Sequence, residues 1–304
     1  MMKNSTLTLA LIFLLTVTAC QKEQANTNGK LQIITTTGMI QDIVQNIAGD
    51  KADVVALMGT GVDPHLYKAT ANDLTRLGQA DAVFYNGLHL EGKMSEVLEK
   101  LGRKKPVFAV TDGIDKSRLR SISETQYDPH IWFDVKLWAR AAEFASKKLQ
   151  EVDKPNAEYY KANAEQYLLK LDSLDSWVRQ ELAQIPAQQR VLITAHDAFG
   201  YFGRAYDVEV VGLQGISTVS EFGVQDVIRL TDMIAQRNIK AIFVESSVPK
   251  RSVEAVVAGV RQRGGNVNIG GELYSDAMGA RDTPEGTYIG MVSANVRTIV
   301  NALR

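Results

Sequence analysis

The sequence predicts an α/β fold of two lobes, each a parallel sheet flanked by helices, joined by one long rigid helix. Three observations predict it. Short apolar runs alternate with amphipathic stretches from residue 31 to 110. The same rhythm returns from residue 191 to 303. Between the two lies a stretch, residues 157–185, with neither Gly nor Pro. Strands that alternate with helices pair in parallel, because each helical crossover brings the chain back in the same direction.

In the first half, residues 31–37 read as a strand ending in small polar residues, followed by an amphipathic helix over Met39–Ala48. Asp53–Met58 is the next strand and runs into the loop Gly59-Thr60-Gly61. A short helix over Asn72–Gly78 precedes a strand at Ala82–Asn86, and a helix over Glu91–Leu101 precedes a strand at Val107–Val110. Asp134 is placed to cap a helix that begins at Val135. In the middle, Tyr160, Tyr167, Leu171, Leu174, Val178 and Leu182 form one apolar stripe, with Pro155 before it and Pro186 after it. Such a helix runs roughly 40 Å, enough to join two lobes, although a surface helix within one domain would carry the same stripe. The second half gives strands at Val191–Thr194, Glu209–Leu213, Ala241–Glu245 and Asn266–Ile269, and helices over Gln225–Arg237, Ser252–Arg263 and Tyr288–Leu303. The expected boundaries are a first lobe over 31–153, the connecting helix over 154–186 and a second lobe over 187–304.

The N-terminus sets the compartment. Lys3 gives a short positive region, Leu7–Val17 is apolar but too short to span a bilayer, and Val17-Thr18-Ala19-Cys20 closes the run. A small residue before Cys at that point is a lipoprotein processing signal, so residues 1–19 read as a signal peptide and Cys20 as the acylated residue. An ordinary signal peptide followed by a chance Cys is the alternative. Cys20 is the only Cys, which excludes a disulfide framework and a thiolate metal ligand. Residues 20–30 are polar and unpatterned, a tether between lipid and domain. With 34 basic and 35 acidic residues and no basic block, the chain has no electrostatic footprint for nucleic acid.

The chain has four His. Two sit in a repeated tripeptide, Asp63-Pro64-His65 and Asp128-Pro129-His130, and a third in Thr194-Ala195-His196-Asp197. His65 follows the loop after a strand, His196 lies just past the strand at Val191–Thr194, and Asp276 follows the strand at Asn266–Ile269. In an open parallel sheet, ligands bind beyond the carboxyl ends of strands. Two candidates from each half can therefore meet in a cleft between lobes. Pro before the first two His fixes one backbone angle and steadies the imidazole. Three nitrogens and a carboxylate suit tetrahedral Zn²⁺. With the carboxylate bound through both oxygens, they suit Mn²⁺ as well. The competing reading is three unrelated His and a chance repeat. Asp63 and Asp128 read as turn formers, since Asp before Pro is a turn signal. His89 reads as a helix-start or surface residue rather than a ligand. Glu245, at a strand end, reads as an acceptor for a ligand imidazole or as a plain structural partner. Trp132, Phe199, Tyr201 and Phe202 read as apolar shielding.

Residues 31–304 resemble the metal-binding lipoproteins of bacterial ABC importers, the TroA-type or cluster A-I family that takes up zinc and manganese. The resemblance is carried by Asp63-Pro-His-Leu-Tyr67, Asn86-Gly-Leu-His-Leu-Glu91, Asp128-Pro-His-Ile-Trp-Phe-Asp134, Thr194-Ala-His-Asp-Ala-Phe-Gly-Tyr-Phe202, Gly212-Leu-Gln-Gly-Ile-Ser-Thr218, Phe243-Val-Glu-Ser-Ser247 and Leu273-Tyr-Ser-Asp-Ala-Met-Gly279. It implies two lobes around a rigid helix, with metal held by His65, His130, His196 and Asp276. It also implies a permease and a cytoplasmic ATPase as partners, a monomer, no catalysis, and a place outside the cytoplasm on a lipid anchor. Strictly manganese-selective members often carry Glu where this chain has His196, and dedicated zinc members often carry a His-rich loop where it has Lys116–Tyr127. The chain is thus similar to members that take either metal. Residues 217–223 depart in detail from the family's small-residue pattern. Two other classes fit some of the same residues: a surface adhesin lipoprotein, and a zinc hydrolase with Glu245 as its base. The hydrolase lacks His-Glu-x-x-His, and four protein ligands would close its water position.

Overall fold

The computed structural model describes residues 29–220 and 222–304. The signal peptide, Cys20 and most of the tether lie outside the described residues.

The first half folds as expected. β1 (Leu31–Thr35), β2 (Ala52–Ala56), β3 (Ala82–Tyr85) and β4 (Val107–Ala109) form one parallel sheet in the order β2-β1-β3-β4. Register is set by apolar alignment, with Ile33 facing Val54 on one side and Ala82 on the other. Helix α1 (Gly38–Ala48) buries Met39, Ile40, Ile43, Val44 and Ile47, the 3.6-residue face that its sequence spells out. Helix α2 (Ala71–Gln79) starts at a capping box, in which Thr70 and Asp73 satisfy each other's backbone N–H groups. Helix α3 (Ser95–Gly102) starts later than expected, after a 3-10 turn at Gly92–Met94. The reason is Glu91, whose buried carboxylate accepts from Asn86 N–H, Gly87 N–H and the Thr36 hydroxyl instead of opening a helix.

Helix α4 (Val135–Val152) is capped by Asp134, which accepts from the N–H groups of Lys136 and Leu137. Helix α5 (Ala157–Leu182) is the long one, 26 residues and so about 39 Å. All six residues of its stripe are buried. It lies against α1 and α4 on one side and, on the other, against α6 (Gly200–Tyr206), which the sequence reading left out, and α9 (Tyr288–Leu303).

The second half departs more. Its strands form two parallel pairs, β5 (Val191–His196) with β6 (Glu209–Gln214), and β7 (Ala241–Glu245) with β8 (Asn268–Leu273). β5 lies beside β7. Helices α7 (Val224–Arg237) and α8 (Arg251–Gln262) pack together. β5 extends two residues further than expected, so His196 ends the strand instead of following it. β8 begins later and continues through Gly270-Gly271, which had looked like a loop. Those glycines belong in the strand because α9 leaves no room: a Cβ on Gly270 would stand 2.7 Å from Cβ of Ala302.

One cluster of buried side chains runs through both halves. It joins Ile33 and Phe84 of the first sheet and Ile43 of α1 to Trp138, Tyr167 and Leu171 of the central helices, and on to Leu192, Phe243 and Leu273 of the second half. No helix among the described residues is long and apolar enough to cross a membrane.

Candidate metal centre

Four side chains from four loops or strand ends meet between the halves. His65 follows β2, His130 precedes α4, His196 ends β5 and Asp276 lies three residues past β8. All four are buried, and one ligand atom from each lies within 4.8 Å of all the others.

A carboxylate holds the main chain of each His, and at His130 and His196 it holds the ring as well. The first Asp-Pro-His closes a turn, with Asp63 Oδ1 accepting from the His65 N–H at 2.8 Å. The second does more. Asp128 Oδ1 accepts from the His130 N–H at 2.9 Å and lies 2.7 Å from Nδ1 of the same ring. The other Asp128 oxygen takes the Arg120 guanidinium, and the Tyr201 hydroxyl donates to the Asp128 carbonyl at 2.9 Å. At His196 the sheet supplies the partner. Glu245 ends β7, the strand beside β5, and its Oε1 accepts from the His196 N–H at 2.8 Å while Oε2 lies 2.5 Å from Nδ1. A carboxylate on Nδ1 fixes the ring and turns the Nε2 lone pair of the neutral imidazole inward.

The inward atoms then have only one another. Nε2 of His65 and Nε2 of His130 are 3.3 Å apart. Asp276 Oδ2 is 3.3 Å from His196 Nε2 and 3.7 Å from His65 Nε2, and Oδ1 is 3.4 Å from His130 Nε2. His196 Nε2 and both Asp276 oxygens are buried without a hydrogen-bond partner. Buried polar atoms are rarely left so. Ligands 2.0–2.2 Å from a tetrahedral metal are separated by about 3.3–3.6 Å, and the His65–His130 and Asp276–His contacts, at 3.3–3.7 Å, come close to those edges, with the whole set inside 4.8 Å. Three imidazoles and a carboxylate are a donor set fit for Zn²⁺ or Mn²⁺.

Without metal the site is electrostatically tense. Burial pushes the His65 imidazole down to about 4, against the pull of Asp276. Burial also works against charge on His130, but its bond to Asp128 and the nearby Asp276 carboxylate outweigh it and raise the ring to about 9. His196 goes the same way: burial opposes its charge, yet Glu245 and Asp276 hold it well above the ordinary value. Burial disfavours the Asp276 anion too, but His196 and His130 keep its carboxyl well below the usual range.

The surroundings shield three ligands and leave one at the mouth. Trp132 stands edge-on to His130 at 5.2 Å and donates from Nε1 to the Ser275 carbonyl at 3.0 Å. Phe199 stacks on Phe133, and Phe202 packs on Tyr206, further from the ligands. A cavity of about 490 Å³ opens beside His65, lined by Leu88, His89, Tyr127, Pro129, Asp197 and Ile216 among others. His89 sits at this mouth, with a left-handed backbone, and is outside the cluster. Asp63 and Asp128 form their turns as expected, but the grip of Asp128 on the His130 ring was missed. The tripeptide gave no clear signal for it, since Asp63 in the same pattern reaches only the His65 N–H and turns its other oxygen to Thr218. The role of Arg120 had no local signal, because its partner is met only through folding.

A family model described as zinc-uptake complex component A, periplasmic, matches residues 33–302. The zinc-binding protein TroA of Treponema pallidum is 50% identical over 281 residues, covering 92% of this chain and 91% of TroA. The manganese-binding lipoprotein MntA of Bacillus subtilis is 46% identical over 291 residues, covering 95% of each chain. The solved structure of the periplasmic zinc-binding protein TroA from Treponema pallidum superimposes with a TM-score of 0.89, covering 90% of this chain and 99% of that one.

Proposed function

The chain belongs to the zinc-uptake component A family, and from that premise we propose that it is the extracytoplasmic, lipid-anchored metal-binding component of an ABC importer. It captures Zn²⁺ or Mn²⁺ on His65, His130, His196 and Asp276 and delivers the ion to the membrane permease, which a cytoplasmic ATPase drives. The observation that carries this reading is the set of inward Nε2 and carboxylate atoms that meet at coordination distances with no other partner. One of these relatives is named for zinc and the other for manganese, and the donor set admits both.

The ion is cargo, so the chain's work is capture and release. His130 and His196 give up protons as the metal arrives, and Asp128 and Glu245 keep their rings in place while they do. The protein does no chemistry on its cargo. Four protein ligands leave no position for an activated water, and Glu245, the one base candidate, is engaged with His196.

The same reading assigns residues 1–19 to the signal peptide, Cys20 to the lipid anchor and 20–30 to the tether. Residues 31–153 and 187–304 form the two lobes around a connecting helix at 154–186, and the chain works as a monomer. The match to a zinc-uptake component over residues 33–302 favours an importer subunit over a surface adhesin. The test is titration of the metal-stripped chain with Zn²⁺ and Mn²⁺, singly and in competition. One ion per chain, with the two metals mutually exclusive, is expected. A chain that binds neither stoichiometrically would overturn the assignment.

A further inference from the structure

The mouth of the site is lined by the segment 215–220, through Gly215, Ile216, Ser217 and Ser220. This segment is tied at two points to residues that neighbour candidate ligands in the chain. At one, the N–H of Asp197, next to His196, donates to the Gln214 carbonyl at 3.1 Å. Gln214 Nε2 in turn donates to the Ser220 carbonyl at 2.9 Å and closes the segment on itself. At the other, the buried Thr218 hydroxyl donates to Asp63 Oδ2 at 2.6 Å, across 155 residues of sequence. The second oxygen of the same carboxylate holds the His65 N–H. One carboxylate thus joins the ligand nearest the mouth to the opposite half of the molecule.

Other bonds cross between the halves. The Thr60 hydroxyl donates to the Gly279 carbonyl at 3.2 Å, and Trp132 donates to the Ser275 carbonyl at 3.0 Å. Both end on neutral acceptors. The Thr218 bond is the shorter and ends on a carboxylate, where hydrogen bonds are about twice as strong. It also sits where the cleft parts. His65 lines the mouth cavity with Gly215, Ile216, Ser217 and Ser220, so moving the halves apart there pulls Thr218 from Asp63.

We propose that Thr218 is a positioning residue for metal release: it never touches the ion, but its bond to Asp63 holds His65 in place and must break before the ion leaves. The inference rests on the metal site proposed above. It predicts a change in the dissociation rate without a change in the ligand set.

The experiment is stopped-flow transfer of Zn²⁺ from the loaded chain to an excess of chromogenic chelator. Thr218→Val keeps the shape and removes the hydroxyl, and it should release zinc about tenfold faster, the worth of one hydrogen bond to a charged acceptor. Thr218→Ser keeps the hydroxyl and should release at the parent rate. Both should bind one Zn²⁺ and give the Co²⁺ absorption spectrum of the parent, while the Val variant alone melts somewhat lower when metal-free, because it lacks the same bond. Thr218→Ala removes the hydroxyl without a branched replacement and should match the Val variant. Release from the Val and Ala variants within twofold of the parent would overturn the inference, as would a Ser variant as fast as Val. A parent chain that binds no zinc would overturn the metal site itself.

Discussion

Glu245 and Asp128 solve the same problem by different routes. Both accept from a ligand's backbone N–H and grip its Nδ1, so ring and main chain are fixed by one carboxylate. Asp128 reaches its His from two residues away in sequence, and Glu245 from the next strand. Removing the charge while keeping the shape isolates this effect. Glu245→Gln and Asp128→Asn should each weaken Zn²⁺ binding about 10–100-fold, measured by chelator competition, while the fold is kept. His89→Ala should bind zinc as the parent does, since His89 lies outside the cluster. The pH dependence follows from the same bonds. His130 is raised to about 9 and His196 well above its ordinary value, so both rings carry a proton at pH 7 before metal arrives. His65, pushed down to about 4, does not. The metal takes neutral imidazoles, so binding must release about two protons per ion at pH 7, and affinity must climb as pH rises toward 9. Calorimetry in buffers of different ionisation enthalpy counts those protons, and a count of zero would contradict the assigned partners.

Single elements show where sequence and fold agree and where they part. β8 passes under α9 so closely that Gly270 has Ala302 Cβ at 2.7 Å and Phe243 Cε1 at 2.8 Å from where its own Cβ would be. Gly270→Ala should therefore cost about 1–3 kcal/mol in urea unfolding. The penalty is one of overpacking, felt far from the ligands. This crowding is also why the sequence misplaced the strand, since two adjacent glycines look like a loop until the neighbouring helix is known. Similarly, Glu91 appeared to open a helix and instead holds Asn86 and Gly87 N–H groups, a use that only the buried site reveals. Elements governed by their own periodicity were legible: α1, α5 and α9 bury the faces their apolar spacing spells out. The four candidate ligands were legible because Asp-Pro-His repeats and because loop-borne polar residues after strands converge in a parallel fold. Tyr201 and Thr218 were not, because their partners lie 73 and 155 residues away, and Arg120 was not, because the loop that brings it back onto Asp128 carries no periodic pattern.

At the scale of the whole molecule, the decisive fact is that the largest core does not stop at the cleft. Side chains from β1 and α1, from α4 and α5, and from β5, β7, β8 and α9 belong to one buried cluster. Helix α5 is its spine, with Tyr160, Tyr167, Leu171 and Val178 buried along the shared interior. A hinge that swung the halves widely apart would have to strip this interior, at roughly 25 cal/mol for each Å² of apolar surface exposed. Separating a few polar contacts between the halves costs far less: the Thr218–Asp63 bond at the mouth, the Thr60–Gly279 bond away from it and the ligands themselves. The cheap motion is therefore a small tilt that opens the His65 side and leaves the core closed. Two consequences can be measured on one preparation. Chemical unfolding of the metal-free chain should follow a single transition by fluorescence and by circular dichroism, because the largest buried cluster is shared by both halves, and the smaller cluster that each half keeps to itself packs beside it. Solution scattering of metal-free and Zn²⁺-loaded chains should then give nearly the same radius of gyration. A change as large as that of a full two-domain hinge would mean that the core parts with the cleft, and that α5 bends or slides where its buried stripe says it is held.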